Sequence, residues 1–226
     1  MSGRLQREAE IVAARIERGD PYWPAQLTVG VVIALNLALS AQVTVGPAWL
    51  VPSVGVVLLV ALVWISPSRA TARMRRVRRL ALAVTGLVSL ANVVSLGLLI
   101  NYLVGGGHAV GRSLILSGAV LWTTNVLLFA VWYWEMDRGG PAARFLDPDA
   151  LPDFQFPQME NPQLAPQGWR PGYIDYLYLS LTNASAFSPT DTMPLTATAK
   201  VLMGMQSIAA LLTVGLVVAR AVNILS

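Results

Sequence analysis

The chain has no cysteine and a single histidine, His108, which excludes disulfides, thiolate nucleophiles, iron–sulfur clusters, cysteine zinc sites and His-rich metal centres. Charge is scarce as well: Asp, Glu, Lys and Arg make up 12% of 226 residues, and Lys200 is the one lysine. None of these charged residues falls at the middle of a long apolar run, so a proton relay or an ion-coupled transport site lacks its usual groups. What is present is apolar. A content of 55% hydrophobic residues and a mean hydropathy of +0.58 predict an integral membrane protein. Fifteen arginines against twelve acids make the chain basic, but most of the arginines flank apolar runs, which is a topology signal and not a nucleic-acid footprint. Abundant Ala, Val and Arg with almost no Lys suits a bacterial sequence, and the expected location is the bacterial cytoplasmic membrane.

A helix that crosses about 30 Å of hydrocarbon needs about 20 apolar residues. Five runs qualify, at 27–45, 48–65, 80–104, 114–134 and 201–225, the last carrying Arg220 near its end, where a long side chain can snorkel. Trp23, Trp49, Trp64, Tyr102, Trp132, Tyr133 and Trp134 lie near the run ends and are read as headgroup-level rings. Ahead of them, Leu5, Ala9, Val12 and Ile16 recur at helical spacing within residues 1–24, the pattern of a helix lying on the membrane surface or of a solvated tail. Asn36, Asn92, Asn125 and Gln206 are polar residues inside the runs and are read as hydrogen-bonding between helices. Gly105, Gly106 and Gly107 before His108 predict a tight turn, since the Lys and Ser/Thr of a phosphate loop are missing.

Between Glu135 and Pro171 seven prolines and a set of acids replace the apolar pattern and predict an extended aqueous linker. The stretch after it is the most informative in the chain. Its apolar part, Tyr173 to Leu181, gives about 14 Å of helix, half the depth of the hydrocarbon. Small polar residues and Ser188-Pro189-Thr190-Asp191 follow, and these must return to water before the last run. The prediction is a half-helix that is re-entrant, or one that lies at the interface.

A long helix, an aqueous linker, a short helix, a turn of small residues and a final long helix resemble the pore module of tetrameric potassium-channel-like proteins. Tyr176-Leu177-Tyr178-Leu179-Ser180-Leu181-Thr182 resembles that family's pore helix, Ala186-Phe187-Ser188 stands at the place of its Gly-Tyr-Gly filter, and Asp191 resembles the acid after the filter. The resemblance implies that Thr182, Asn183, Ala184, Ser185, Ala186, Phe187 and Ser188 line a pore, with Gly204 or Gly215 as the hinge of the inner helix. It covers residues 114–225 and not the first three spans; the chain is also similar to a group of bacterial multi-span membrane proteins with the same kind of ending. Ala186 and Ser188 carry Cβ atoms where the filter needs glycines, so potassium selectivity does not carry over, and side chains of Thr182, Asn183, Ser185 and Ser188 rather than carbonyls are expected to face the opening.

With five crossings the N-terminal tail, the loop 66–79 and the linker share one side, which holds thirteen arginines, and the positive-inside bias makes that side cytoplasmic. A potassium-channel loop enters from outside, so the charge rule puts this one the other way round. Arg69, Arg73, Arg75, Arg76, Arg78 and Arg79 occupy near-consecutive positions ahead of the third run and read as a stop signal that binds anionic lipid, since a voltage sensor spaces its charges every third residue through the membrane. The expected architecture is all-α: an N-terminal amphipathic helix at 1–24, a three-span region at 25–112, and a pore-module-like region at 113–226. That last region comprises an outer helix at 114–134, a linker at 135–171, a re-entrant segment at 172–195 and an inner helix at 196–225. One subunit gives too few helices to enclose a pore, so the expectation is a homo-oligomer, tetramer favoured, with a monovalent cation as its permeant partner. Catalytic residues, cofactors, metals and nucleic acid are not expected. The competing expectation is a non-conducting membrane subunit in which the re-entrant piece is a plug.

Overall fold

The computed structural model describes residues 23–37, 39, 52–53, 55–56, 59–60, 71–104, 111–147, 149–185 and 191–225. The expected surface helix at 1–24 falls almost wholly outside these residues, as do most of the second apolar run, Arg69, the turn at Gly105 to His108, and Ala186, Phe187 and Ser188.

The protein is mostly helical. Helix α1 covers Trp23–Leu37, α2 Thr71–Val104, α3 Gly111–Met136, α4 Pro141–Leu146, α5 Pro157–Glu160, α6 Tyr173–Ser185 and α7 Ala197–Leu225. Three of them, over Arg78–Leu103, Ile115–Gly139 and Ala197–Ala219, are long and apolar enough to cross a membrane. Each coincides with a predicted run. Helix α2 begins nine residues before its run because Arg, Met and Ala are good helix formers and nothing in 71–79 breaks the chain.

Helix α3 is central and packs against α1, α2, α6 and α7. Val29, Val32 and Ile33 of α1 meet Val84 and Val88 of α2 and Leu128 of α3 in one core. The described pieces of the second run lean on α1, with Leu59 against Gly30 and Gly55 against Ile33. At Gly118 in α3 a Cβ would lie 2.2 Å from Val217 Cγ2, so α3 and α7 approach closely only because that side chain is a hydrogen. In lipid, where apolar surfaces have no water to escape, such tight packing and interhelical hydrogen bonds hold helices together.

The segment at 135–171 is not an extended linker. Phe154 and Phe156 are buried in the same core as Tyr133, Trp134, Tyr173 and Tyr176, with Trp169 stacked edge-on at 6.1 Å from Phe156. Prolines start the short helices α4 and α5, at the position where a missing N–H costs nothing. Strand β1, Phe154–Gln155, pairs antiparallel with β2, Met193–Pro194, in the register Phe154↔Pro194 and Gln155↔Met193. The aromatics, which a count of prolines and acids overlooks, fold this segment into a cap.

Tyr133 and Trp134 are also not headgroup-level rings. Both are fully buried beneath the cap, in edge-on contact with Phe154 and Tyr173 respectively. Trp23, by contrast, is 62% exposed.

Candidate functional site

Helix α6 has 13 residues, about 20 Å at 1.5 Å per residue, short of the roughly 30 Å of a bilayer's hydrocarbon. Its face of Tyr173, Tyr176, Leu179, Ser180 and Ala184 is buried against the protein, and Ile174, Tyr178 and Leu181 are exposed on the other face. It starts with half of a capping box: Asp175 in the first turn accepts the Gly172 N–H at 2.8 Å.

Two sets of polar contacts hold α6. The first lies deep between α3, α6 and α7 and centres on Gln206, whose side chain is completely buried. Its amide nitrogen donates to Ser180 O at 2.8 Å and to Ser180 Oγ at 2.7 Å. Its carbonyl accepts the Tyr133 hydroxyl and, at 2.8 Å, the Asn183 amide. Ser180 Oγ in turn donates to Val126 O at 2.6 Å, and Asn183 also donates to Met203 O at 3.0 Å. Ser207 donates to Asn183 Oδ1 at 3.2 Å, and Asn125 donates to Gln206 O at 3.3 Å. Both donor and acceptor capacities of the Gln206 amide are therefore filled, the condition under which a buried polar group stabilises instead of costing.

The second set lies at the other end of α6. Asp137, fully buried in the 3-10 turn after α3, accepts the Tyr176 hydroxyl at 2.6 Å and the Asp153 N–H at 2.8 Å. The Asp153 carboxylate accepts Arg138 N–H at 2.9 Å and Thr196 Oγ at 2.6 Å, and Asp153 O accepts Leu195 N–H at 2.8 Å. Thr196 caps α7 by accepting the Ala199 N–H at 3.2 Å. Tyr173 donates to Thr28 near the start of α1 at 2.7 Å. The beginnings of α1, α6 and α7, the end of α3 and the chain returning from α6 thus gather at one end of the molecule.

The end of α3 sits in this assembly and its last carbonyls need donors. Arg144 supplies Trp134 O at 2.6 Å and Asp137 O at 2.9 Å while lying 5.1 Å from the Tyr176 ring centroid. Arg78 of α2 donates to Glu135 O at 3.1 Å and forms an ion pair with its carboxylate at 3.4 Å. The turn out of the helix runs through three left-handed residues, Arg138, Gly139 and Gly140. At Gly140, with φ +95° and ψ 172°, a Cβ would be strained and would sit 3.0 Å from both Arg78 Nε and Glu135 O.

These contacts decide where the predicted pore residues stand. Asn183 is turned into the Gln206 cluster; Ala184 is buried against Val126 and Ala210. Thr182 bonds back to Tyr178 O and Leu179 O, and Ser185 to Thr182 O, all within α6. Gly204 and Gly215 have open space around them on the exposed side of α7. In the arginine cluster Arg79 is exposed, Arg78 is engaged by Glu135, and the side chains of Arg73, Arg75 and Arg76 lie outside the described residues. Asp175 and Asp191 serve different places, the first as the cap of α6 and the second exposed before β2. Among the described residues no cluster of three or more His, Cys, Asp or Glu is arranged to hold a metal ion.

The reading of Asn125 and Gln206 as interhelical hydrogen-bonding residues fits the structure, whereas the Asn36 amide donates to Val32 O of its own helix. Sequence reasoning missed Asp137, Asp153, Arg144 and Tyr176 as a network. One signal was available: aspartates beside Phe, Trp and Tyr at the edge of an apolar run need partners. Comparison with protein-family models, curated proteins and solved structures finds no match.

Proposed function

We propose that the chain is one subunit of an oligomeric channel-like membrane protein, passing small cations with little or no potassium selectivity, in which α6 is a re-entrant half-helix. The observation that carries this reading is the pairing of Phe154–Gln155 with Met193–Pro194: the chain after α6 comes back to the end at which α6 began. A half-length helix that returns instead of crossing fits a pore loop. The Gln206 cluster gives the polar company that such a helix needs at depth.

Five crossings fit this reading: helix α1 and helix α2 both begin near the gathered end, where Tyr173 bonds to Thr28 and Arg78 pairs with Glu135, and one return crossing between them accords with that order. The apolar run 48–65 is about 27 Å long as a helix, enough for that return. The gathered end carries most of the arginines and is assigned to the cytoplasm, and the membrane to the bacterial inner membrane. Labelling cysteines placed at Ala150 and at Gly107 from either face tests this, since the chain has no thiol of its own. Modification of both from the same face refutes it.

The decisive experiment is flux. A Ser185→Cys variant in cation-loaded proteoliposomes is expected to lose flux when a bulky thiol reagent is attached, with assembly unchanged by cross-linking; undiminished flux refutes conduction past α6. A second reading is favoured by one specific observation: the polar side chains of Thr182, Asn183 and Ser185 all have partners within the subunit. Under it α6 is a plug in a non-conducting membrane subunit, and the wild-type oligomer passes no ions at all.

A further inference from the structure

We infer that the return segment, Asp191 to Thr196, is a latch that opens from the cap as a unit while α6 stays seated. The inference stands on the geometry of the two contact sets and is independent of whether the protein conducts. The deep set centres on the fully buried Gln206 and Ser180, with Asn183 half-buried, and none of its members belongs to the cap or the return segment. The outer set is of another kind. It is a two-residue strand pair, a length with marginal stability by itself, and two bonds to a single residue, from Leu195 N–H and Thr196 Oγ to Asp153. Asp191, Met193 and Leu195 are exposed and Asp153 is half-buried, so water competes for these bonds, while Thr192 between them is buried. Segments with few buried contacts and water-exposed hydrogen bonds open first.

The two sets touch at Asp137. One of its carboxylate oxygens takes the Tyr176 hydroxyl and the other takes the Asp153 N–H, so the second bond can break with the first intact. Opening at Asp153 frees Leu195 and Thr196, and with them the cap of α7, but leaves Ser180 and Asn183 tied to Gln206. The β1–β2 pair and the Asp153 carboxylate together are the catch of the device.

The test is hydrogen exchange on the full-length protein in lipid nanodiscs. In Asp153→Asn the amides of Thr192, Met193, Leu195 and Thr196 are expected to exchange about tenfold faster, a net loss typical of one charge-assisted hydrogen bond, with the amides of Tyr176 to Leu181 unchanged. In a Gln155→Cys, Met193→Cys variant, whose residues are direct cross-strand partners, oxidation is expected to slow exchange of the same segment about tenfold and reduction to restore it. Faster exchange of α6 together with the segment overturns the inference, because latch and helix then open as one. So does unchanged exchange in the oxidised variant, or failure of the disulfide to form, which refutes the strand pairing itself.

Discussion

Replacing Gln206 by Leu keeps volume and apolar character in a helix that faces lipid on its other side, and removes one amide. Four hydrogen bonds disappear: two to Ser180, one from Tyr133 and one from Asn183. Interhelical bonds in a membrane protein average about 0.6 kcal/mol each, giving roughly 2.4 kcal/mol as a lower figure. The Tyr133 hydroxyl still accepts from Asn183 at 3.2 Å but has lost the acceptor for its own proton, and the cost of one such buried donor, about 1–3 kcal/mol, raises the upper figure to roughly 5 kcal/mol. Asn183 loses less, since Met203 O still accepts from it. The expected loss is thus about 2–5 kcal/mol in reversible unfolding from mixed micelles. Asn36→Leu is the control, because among the described residues that amide bonds within its own helix, and its removal is expected to cost under about 1 kcal/mol. A cycle with Ser180→Ala is expected to show about 1 kcal/mol or more of coupling. A Gln206→Leu cost no greater than that of Asn36→Leu, or zero coupling with Ser180, refutes the claim that this amide seats the half-helix.

Gly118→Ala puts a methyl 2.2 Å from Val217 Cγ2, and a loss of about 1–3 kcal/mol is expected, largely restored by adding Val217→Ala; thermal melts of the two variants check it. Gly140→Ala forces a side chain into φ +95° beside Arg78 and Glu135 and is expected to cost about 1–3 kcal/mol, whereas Gly97→Ala, in open space on α2, is expected to be neutral or stabilising in the same unfolding assay. Arg78→Ala removes the ion-pair partner of the buried Glu135 carboxylate and leaves Arg144 as its cationic neighbour, and about 1–3 kcal/mol is the expected loss. Adding Glu135→Gln to Arg78→Ala should recover part of that stability, and a double variant no better than the single one refutes the pairing.

The long helices were legible because apolar length is a property of the sequence by itself: the runs at 80–104, 114–134 and 201–225 have helices over them. The half-length helix was legible for the same reason, from the shortness of Tyr173 to Leu181 before polar residues resume. What was hidden is whichever depends on the direction a side chain points. Tyr133 and Trp134 stand at the end of a run whether they face headgroups or protein, and only the packing of Phe154 and Tyr173 over them decides. Gln206 announced a hydrogen bond across helices but not that Ser180, 26 residues earlier, is its partner. The cap was misread because Pro and Asp weigh against structure in a count, while Phe154 and Phe156 act through where they land.

The arginines make the same point about charge. Counting them orients the chain, since that bias acts on residue number near span ends during insertion. Attraction to anionic lipid, roughly 1 kcal/mol per residue near the surface, requires guanidinium groups that are free to reach it. Arg78 is held by Glu135, and Arg144, 7% exposed, by the carbonyls of Trp134 and Asp137, where positive charge also complements the negative end of the α3 dipole. These two arginines stabilise a buried helix end, while Arg79 and Arg170 remain exposed. Neutralising Arg79 should therefore weaken the co-purification of anionic lipid more than neutralising Arg144, and Arg144→Gln should instead loosen α6 through Tyr176. If the two substitutions deplete bound lipid equally, Arg144 is not buried beneath the cap in the native membrane and the account of the α3 end is wrong.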